Sequence, residues 1–251
     1  MIFVLGDNHG HFDHIVEAAK QYRPSALISV GDITETAADG IVTPVHVALA
    51  EVLDLGIPFY WIPGNHDTET EGQYDALFGS CGQTNLDGRV LTLEDPELGS
   101  VRIAGLGGIF RGQVWRPPEQ PNYASAADFQ RRMGKGNHWR GGLPLKHRST
   151  IFPDTYKKLS GMRADVLITH EAGGHHPMGF AEIDLLAAAM GVRRTFHGHH
   201  HDRPDYSRFE ERDGFRAHGV GFCGITSITG EIMRPGDFDE ERNYRQAWDK
   251  R

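Results

Sequence analysis

Cysteine is almost absent: Cys81 and Cys223 are the only two in 251 residues. That count does not fit a disulfide framework, and the expectation is a reducing, cytoplasmic setting. Long hydrophobic runs are missing too. Nothing approaches the roughly 20 apolar residues that span a bilayer, so no membrane role is expected. The apolar start, Met1–Leu5, meets Gly6-Asp7 at once and has neither the basic flank nor the length of a signal peptide. Positive charge is in deficit, with 26 Lys and Arg against 34 Asp and Glu and a formal net of −8. This balance argues against coating bulk nucleic acid, while a nucleotide or short strand held through cations stays compatible with it. Apolar residues at 39% and charged residues at 24% are ordinary globular values. The length suits one α/β domain with a sizeable core. Histidine, at 15, is the abundant exception.

The apolar residues arrange themselves in a repeating pattern. Ile2–Leu5, Ala26–Val30 and Pro58–Ile62 each read as a buried strand. They stop at Gly6-Asp7, Gly31-Asp32 and Gly64-Asn65-His66-Asp67 respectively. Between them, Phe12–Tyr22 and Thr43–Leu55 carry apolar residues on one helical face. Strands alternating with helices predict parallel pairing with right-handed crossovers, and sites in such sheets gather at the strands' carboxyl ends. Further strands are expected at Arg89–Leu93, Ser100–Leu106, Asp165–Thr169 and Arg193–Phe196, and helices at Asp154–Leu159 and Glu182–Met190. Phe215–Val220 and Gly224–Met233 are expected to finish the sheet as antiparallel hairpins. The charged tail from about 237 to 251 reads as helical. The whole chain, 1–251, is expected to form one domain interrupted by a long loop or insertion at about 107–149, with one helix near 125–132. Loops of that length in compact domains are commonly binding loops or lids.

The strand ends collect Asp7, His9, Asp32, Asn65, His66, His170, His199 and His201. Carboxylates, an amide oxygen and imidazoles form a mixed O/N donor set that suits first-row divalent cations such as manganese, iron, cobalt, nickel or zinc. An all-oxygen set would have favoured calcium or magnesium, and thiolates for structural zinc are missing. Within the insertion, Arg111, Arg140 and Arg148 are candidate phosphate contacts, because the planar guanidinium fork matches phosphate oxygens. Trp115, Tyr123 and Trp139 are candidate stacking surfaces for a base. The plainer reading, a solvated loop whose aromatics pack on the domain, weighs the same. His197 and His200 fall outside the ligand pattern and are expected to support it or to lie exposed. His175 and His176 are expected in a loop that lines or merely borders the entrance, His11 near the site, and His14 on the surface.

Asp7-x-His9, Gly31-Asp32, Gly64-Asn65-His66-Asp67, His170 and Gly198-His199-x-His201, each following an apolar strand and in this order, resemble the five ligand blocks of the calcineurin-like metallophosphoesterase superfamily. The resemblance runs from the N-terminus to about His201. It implies a four-layer α/β/β/α sandwich, with two mixed sheets face to face and helices outside. It also implies two divalent cations, manganese foremost: one held by Asp7, His9, Asp32 and His201, the other by Asp32, Asn65, His170 and His199, with Asp32 bridging. A water or hydroxide shared by the cations would be the nucleophile. His66 would contact the substrate phosphate and protonate the leaving oxygen, and Asp67 is expected to accept a hydrogen bond from His66 and fix its tautomer. The implied reaction is hydrolysis of a phosphate ester, with a phosphatase acting on phosphomonoesters, phosphoprotein or nucleotide as the first reading. A phosphodiesterase acting on nucleotides or nucleic acid is the alternative, and Gly105–Ile109 faintly resembles the matching stretch of lariat debranching enzymes. Some superfamily members are protein-binding scaffolds with degraded sites. Here every ligand block is intact, which leaves that reading remote.

Overall fold

The structure, a computed structural model, describes residues 1–242. Its strands are β1 (Ile2–Leu5), β2 (Ala26–Ser29), β3 (Phe59–Trp61), β4 (Arg89–Asp95), β5 (Gly99–Leu106), β6 (Val166–Thr169), β7 (Arg194–His197), β8 (Arg216–Gly219), β9 (Ile225–Ser227) and β10 (Ile232–Arg234). Its α-helices are α1 (Asp13–Tyr22), α2 (Val45–Ala48), α3 (Ala50–Asp54), α4 (Glu71–Tyr74), α5 (Ala126–Arg132), α6 (Pro153–Ser160), α7 (Ala181–Met190) and α8 (Glu210–Asp213). No helix among the described residues is long and apolar enough to cross a membrane.

Strands buried on both faces carry apolar residues at consecutive positions, as β1 does throughout and β2 and β6 do up to a terminal Ser or Thr. Successive side chains then point to opposite faces. Ile2 and Val4 enter a central layer with Ile28, Ile103, Val166, Ile168 and Phe196. Phe3 and Leu5 point the other way, onto Ile15 and Ala19 of α1 and Val45 and Val52 of α2 and α3. On the far side, Leu106 and Leu167 meet Leu159 of α6 and Ile183, Leu186 and Met190 of α7. Each such fully buried aliphatic side chain stabilises the fold by about 1.5–3 kcal/mol relative to exposure.

Helix, sheet, sheet, helix is therefore the layer order, and each sheet is mixed. One runs β10-β9-β1-β2-β3, the other β4-β5-β6-β7-β8. In the first, β1, β2 and β3 are parallel and β9 is antiparallel to β1. In the second, only β4 runs against its neighbour.

Two expectations need correction. β9 and β10 do form the antiparallel hairpin, but β8 pairs parallel to β7. The connection between them contains α8, and a crossover of that length returns the chain in the same direction. The helix expected over Thr43–Leu55 is two short helices broken at Leu49, whose φ of −100° and ψ of 15° leave the helical range. Val45, Val47 and Val52 are stiff, weak helix formers, and the break lets Leu49 bury completely. The insertion contains α5, N-capped by the Ser125 hydroxyl accepting from Asp128 N. The remainder of the expected tail helix, 243–251, lies outside the described residues.

Candidate metal centre

The carboxyl ends of β1, β2, β3, β6 and β7 deliver Asp7, Asp32, Asn65, His170 and His199 to one rim of the sheet sandwich. The loops there are laced together: His9 N donates to Asp32 O and Gly10 N to Ile33 O, both at 2.9 Å. His9, Asp32, His199 and His201 all adopt positive φ, between 40° and 68°, which side chains other than Gly's adopt only under local constraint. The glycine before Asp32, before Asn65 and before His199 follows from crowding. A Cβ on Gly64 would lie 2.1 Å from Asp32 Oδ1, one on Gly198 2.2 Å from Asp7 Oδ1, and one on Gly31 2.7 Å from His170 Nδ1.

All seven expected ligands come together. His9 Nε2 lies 3.1 Å from His201 Nε2 and 3.8 Å from Asp32 Oδ2, and His201 Nε2 is 3.5 Å from Asp7 Oδ2. His170 Nε2 lies 3.3 Å from Asp32 Oδ2 and 3.2 Å from Asn65 Oδ1, with the His199 ring 5.0 Å away. Donor atoms of His9, Asp32 and His201 fall within 4.8 Å of one another, as do those of Asp32, His170 and His199. Asp32 belongs to both groups.

These residues fit cations better than they fit each other. Both oxygens of Asp7 and Oδ2 of Asp32 are buried with no hydrogen-bond donor, which is costly for a carboxylate unless a cation answers it. His170 Nδ1–H donates to Val30 O at 2.9 Å, which aims Nε2 at Asp32 and Asn65 and makes it the nitrogen that would take a cation in exchange for its proton. Burial lowers His199 to about 3 and His201 to about 4, helped by positive neighbours, so both are neutral donors at pH 7. Burial pushes Asp7 well above the usual carboxylate range. Burial also disfavours ionised Asp32, but His170 overrides it and holds the group low. Burial opposes charge on His170 as well, yet Asp32 and Asp7 raise it to about 10. The two acids thus demand positive charge at this rim.

His66 stands at the edge of the cluster. Its backbone N–H donates to Asp32 Oδ1 at 2.8 Å, and its ring is 5.0 Å from that of His9. The expected His66–Asp67 hydrogen bond is not formed. Asp67 is fully buried and turned away, its Oδ1 accepting from Ile33 N, Thr34 N and Thr34 Oγ1 and its Oδ2 from Gly64 N, all within 2.9 Å. His66 Nδ1 instead lies 3.2 Å from Glu69 Oε1. Glu69 escaped the sequence reading, although its place three residues after His66 was a signal for it. Glu171 escaped it as well, despite following His170 directly. Burial pushes Glu171 up to about 7, and it forms a further donor group with His199 and His200.

The other histidines brace the rim. His197 bonds Gly198 O and Tyr206 Oη, His200 stacks on His176 at 4.0 Å, and His176 and His175 meet Asp202 and Asp213. His14, expected on the surface, is half-buried and lowered to about 4 by burial.

The three arginines separate. Arg111 is half-buried, its Nε without a partner and its Nη2 3.5 Å from Ser149 Oγ. Arg148 lies over the Tyr74 and Trp139 rings, its Nε also unpartnered. Arg140 is not free for substrate. It holds Asp75 at 2.6 and 2.9 Å and Glu71 at 3.3 Å, and covers Trp139. The aromatics are committed as well. Trp115 packs on Phe110 and Tyr156, Tyr123 on Phe129, and Trp139 on Tyr74.

A sequence model described as calcineurin-like phosphoesterase matches residues 1–203. An uncharacterized protein of Haemophilus influenzae is 38% identical over 243 residues, covering 96% of this chain and all of that one. The crystal structure of TT1561 from Thermus thermophilus superposes with a TM-score of 0.52 at 12% identity, over 90% of this chain and 94% of that one, a likeness of fold alone. With four-fifths of the sequence inside the family pattern, the chain belongs to the calcineurin-like phosphoesterases and is a metal-dependent hydrolase of phosphate esters.

Proposed function

We propose that the enzyme is a phosphatase that cleaves phosphomonoesters at a dinuclear centre. The observation that carries this reading is Asp32, shared between two donor groups with one carboxylate oxygen buried and unanswered. Asp7, His9, Asp32 and His201 would hold one cation, and Asp32, Asn65, His170 and His199 the other. Manganese is our choice for this mixed O/N set. The cations would supply Lewis acidity toward phosphoryl oxygens and activation of water. His66, solvent-accessible at the rim with a side chain 37% exposed, delivers a proton from Nε2 to the leaving oxygen. Arg111 and Arg148, whose terminal nitrogens reach Ser149 Oγ and Tyr74 Oη at 3.5 Å, bring positive charge beside the segment carrying His66, where anionic substrate arrives.

The nucleotide or nucleic-acid phosphodiesterase reading loses its support in the insertion. Trp115, Tyr123 and Trp139 pack against neighbouring aromatic rings, which favours the phosphatase reading over one that stacks a base. Both cysteines are free, which supports placing the enzyme in the reducing cytoplasm. The test pairs p-nitrophenyl phosphate with bis(p-nitrophenyl) phosphate on the manganese-loaded protein, with metal content measured in parallel. The expected result is turnover of the monoester, abolished by chelation and by Asp32→Asn, which also loses bound metal. Turnover confined to the diester overturns the phosphatase reading. Activity indifferent to Asp32→Asn overturns the centre.

A further inference from the structure

Glu69 has no part in the reaction described above, yet its carboxylate lies against the proton-donating side chain. The backbone on either side of it is pinned. Thr68 is fully buried, its hydroxyl 2.6 Å from Ser149 Oγ. Thr70 caps α4 in a reciprocal box with Gln73, at 3.1 and 3.2 Å. His66–Thr68 is one turn of 3-10 helix, and Glu69 N donates to His66 O at 3.2 Å to close it. In that geometry side chains at i and i+3 eclipse, which sets Glu69 directly over His66. Asp67 cannot take this place, because its Oδ1 already accepts three donors and its Oδ2 is turned to Gly64 N.

We infer that Glu69 is the positioning residue of His66: its Oε1, 3.2 Å from Nδ1, holds the ring with Nδ1 toward the carboxylate and so turns Nε2, which carries the transferred proton, toward the leaving group. Asp67, the acid next to His66 in sequence, serves the backbone instead. This inference rests on the acid role given to His66.

The experiment compares phenyl phosphate, whose leaving group needs a proton, with p-nitrophenyl phosphate, whose leaving group does not. Glu69→Gln is expected to lower kcat on the phenyl ester by about tenfold to a hundredfold, while kcat on the p-nitrophenyl ester and the metal content barely move. Glu69→Asp, which keeps the carboxylate, recovers part of the loss. The double variant Glu69→Gln/His66→Ala is no slower than His66→Ala alone, because the two residues act as one unit. Equal losses on both esters, additive losses in the double variant, or loss of metal would overturn the positioning role. If His66→Ala shows the leaving-group dependence and Glu69→Gln does not, only this inference fails. If His66→Ala shows none, the acid role fails and takes the inference with it.

Discussion

Gly64 has no side chain to contribute, yet the centre depends on that lack. The Cβ of an alanine there would lie 2.1 Å from Asp32 Oδ1 and 2.2 Å from Asp32 N, both far inside contact distance, and neither the buried Asp32 nor its backbone has room to retreat. Gly64→Ala is expected to fold and to lower metal affinity on the order of tenfold or more, the scale seen when a ligand's supports are disturbed. Equilibrium dialysis against manganese reads this directly, and unchanged affinity would show that Asp32 is not held by this contact. The same residue shows what could be read from the sequence. Gly before Asp32, Asn65 and His199, each after an apolar run, was visible because crowding at a strand end leaves a local mark. Asp67 was misread because its donors, Ile33 N and Thr34 N, come from the preceding β–α connection. Adjacency to His66 is a poor guide when a distant loop offers three N–H or O–H groups. The left-handed backbone at His9, Asp32, His199 and His201 was likewise invisible, since it is imposed by how the loops meet.

Strands were easier to read than the segments between them. Their burial on both faces writes an unbroken apolar run, whereas the insertion is organised by pairs whose partners lie far away in sequence. Arg140 and Trp139 fasten it to Glu71 and Asp75, beside α4, and His147 fastens it from within. That imidazole is 2% exposed and lies between Thr150 Oγ1 and Gln113 Oε1, each 3.1 Å away. Burial lowers it from 6.5 to about 4, with Lys146 and Arg111 adding to the effect. The folded state therefore binds a proton less readily than the unfolded chain, and the stability from neutral His147 is complete above pH 6.5 and fades as pH falls toward 4. A shift of this size corresponds to about 3 kcal/mol at most. Denaturant unfolding of the native protein and of His147→Gln across pH 4–8 should show stability curves that converge as pH falls through that window. Parallel curves would mean that His147 takes up its proton as readily folded as unfolded.

At the scale of the molecule, the centre is a seam. Asp7, His9, Asp32 and Asn65 follow strands of the sheet containing β1, whereas His170, His199 and His201 follow strands of the sheet containing β6. The two sheets otherwise meet through a largely apolar layer, which is attractive but non-directional, with a polar tie where Asp95 of β4 accepts from Ile2 N of β1 at 2.9 Å. Polar side chains at the rim add directional constraint to their relative placement. Asp7 and Asp32 raise each other's energy when both are ionised, so the rim is electrostatically unsatisfied without positive charge. A cation bound there would tie the two sheets together, and its site would exist only in the folded chain. Its binding must therefore add to folding stability by about 2.7 kcal/mol at a hundredfold excess over the dissociation constant. For a chain of this size that is roughly 5–10 °C in Tm. Thermal unfolding with and without manganese should show this rise, reversed by chelator and missing in Asp32→Asn. A rise that survives in Asp32→Asn would place the stabilising ion elsewhere, and the sheets would then owe their alignment to the apolar layer and the loops alone.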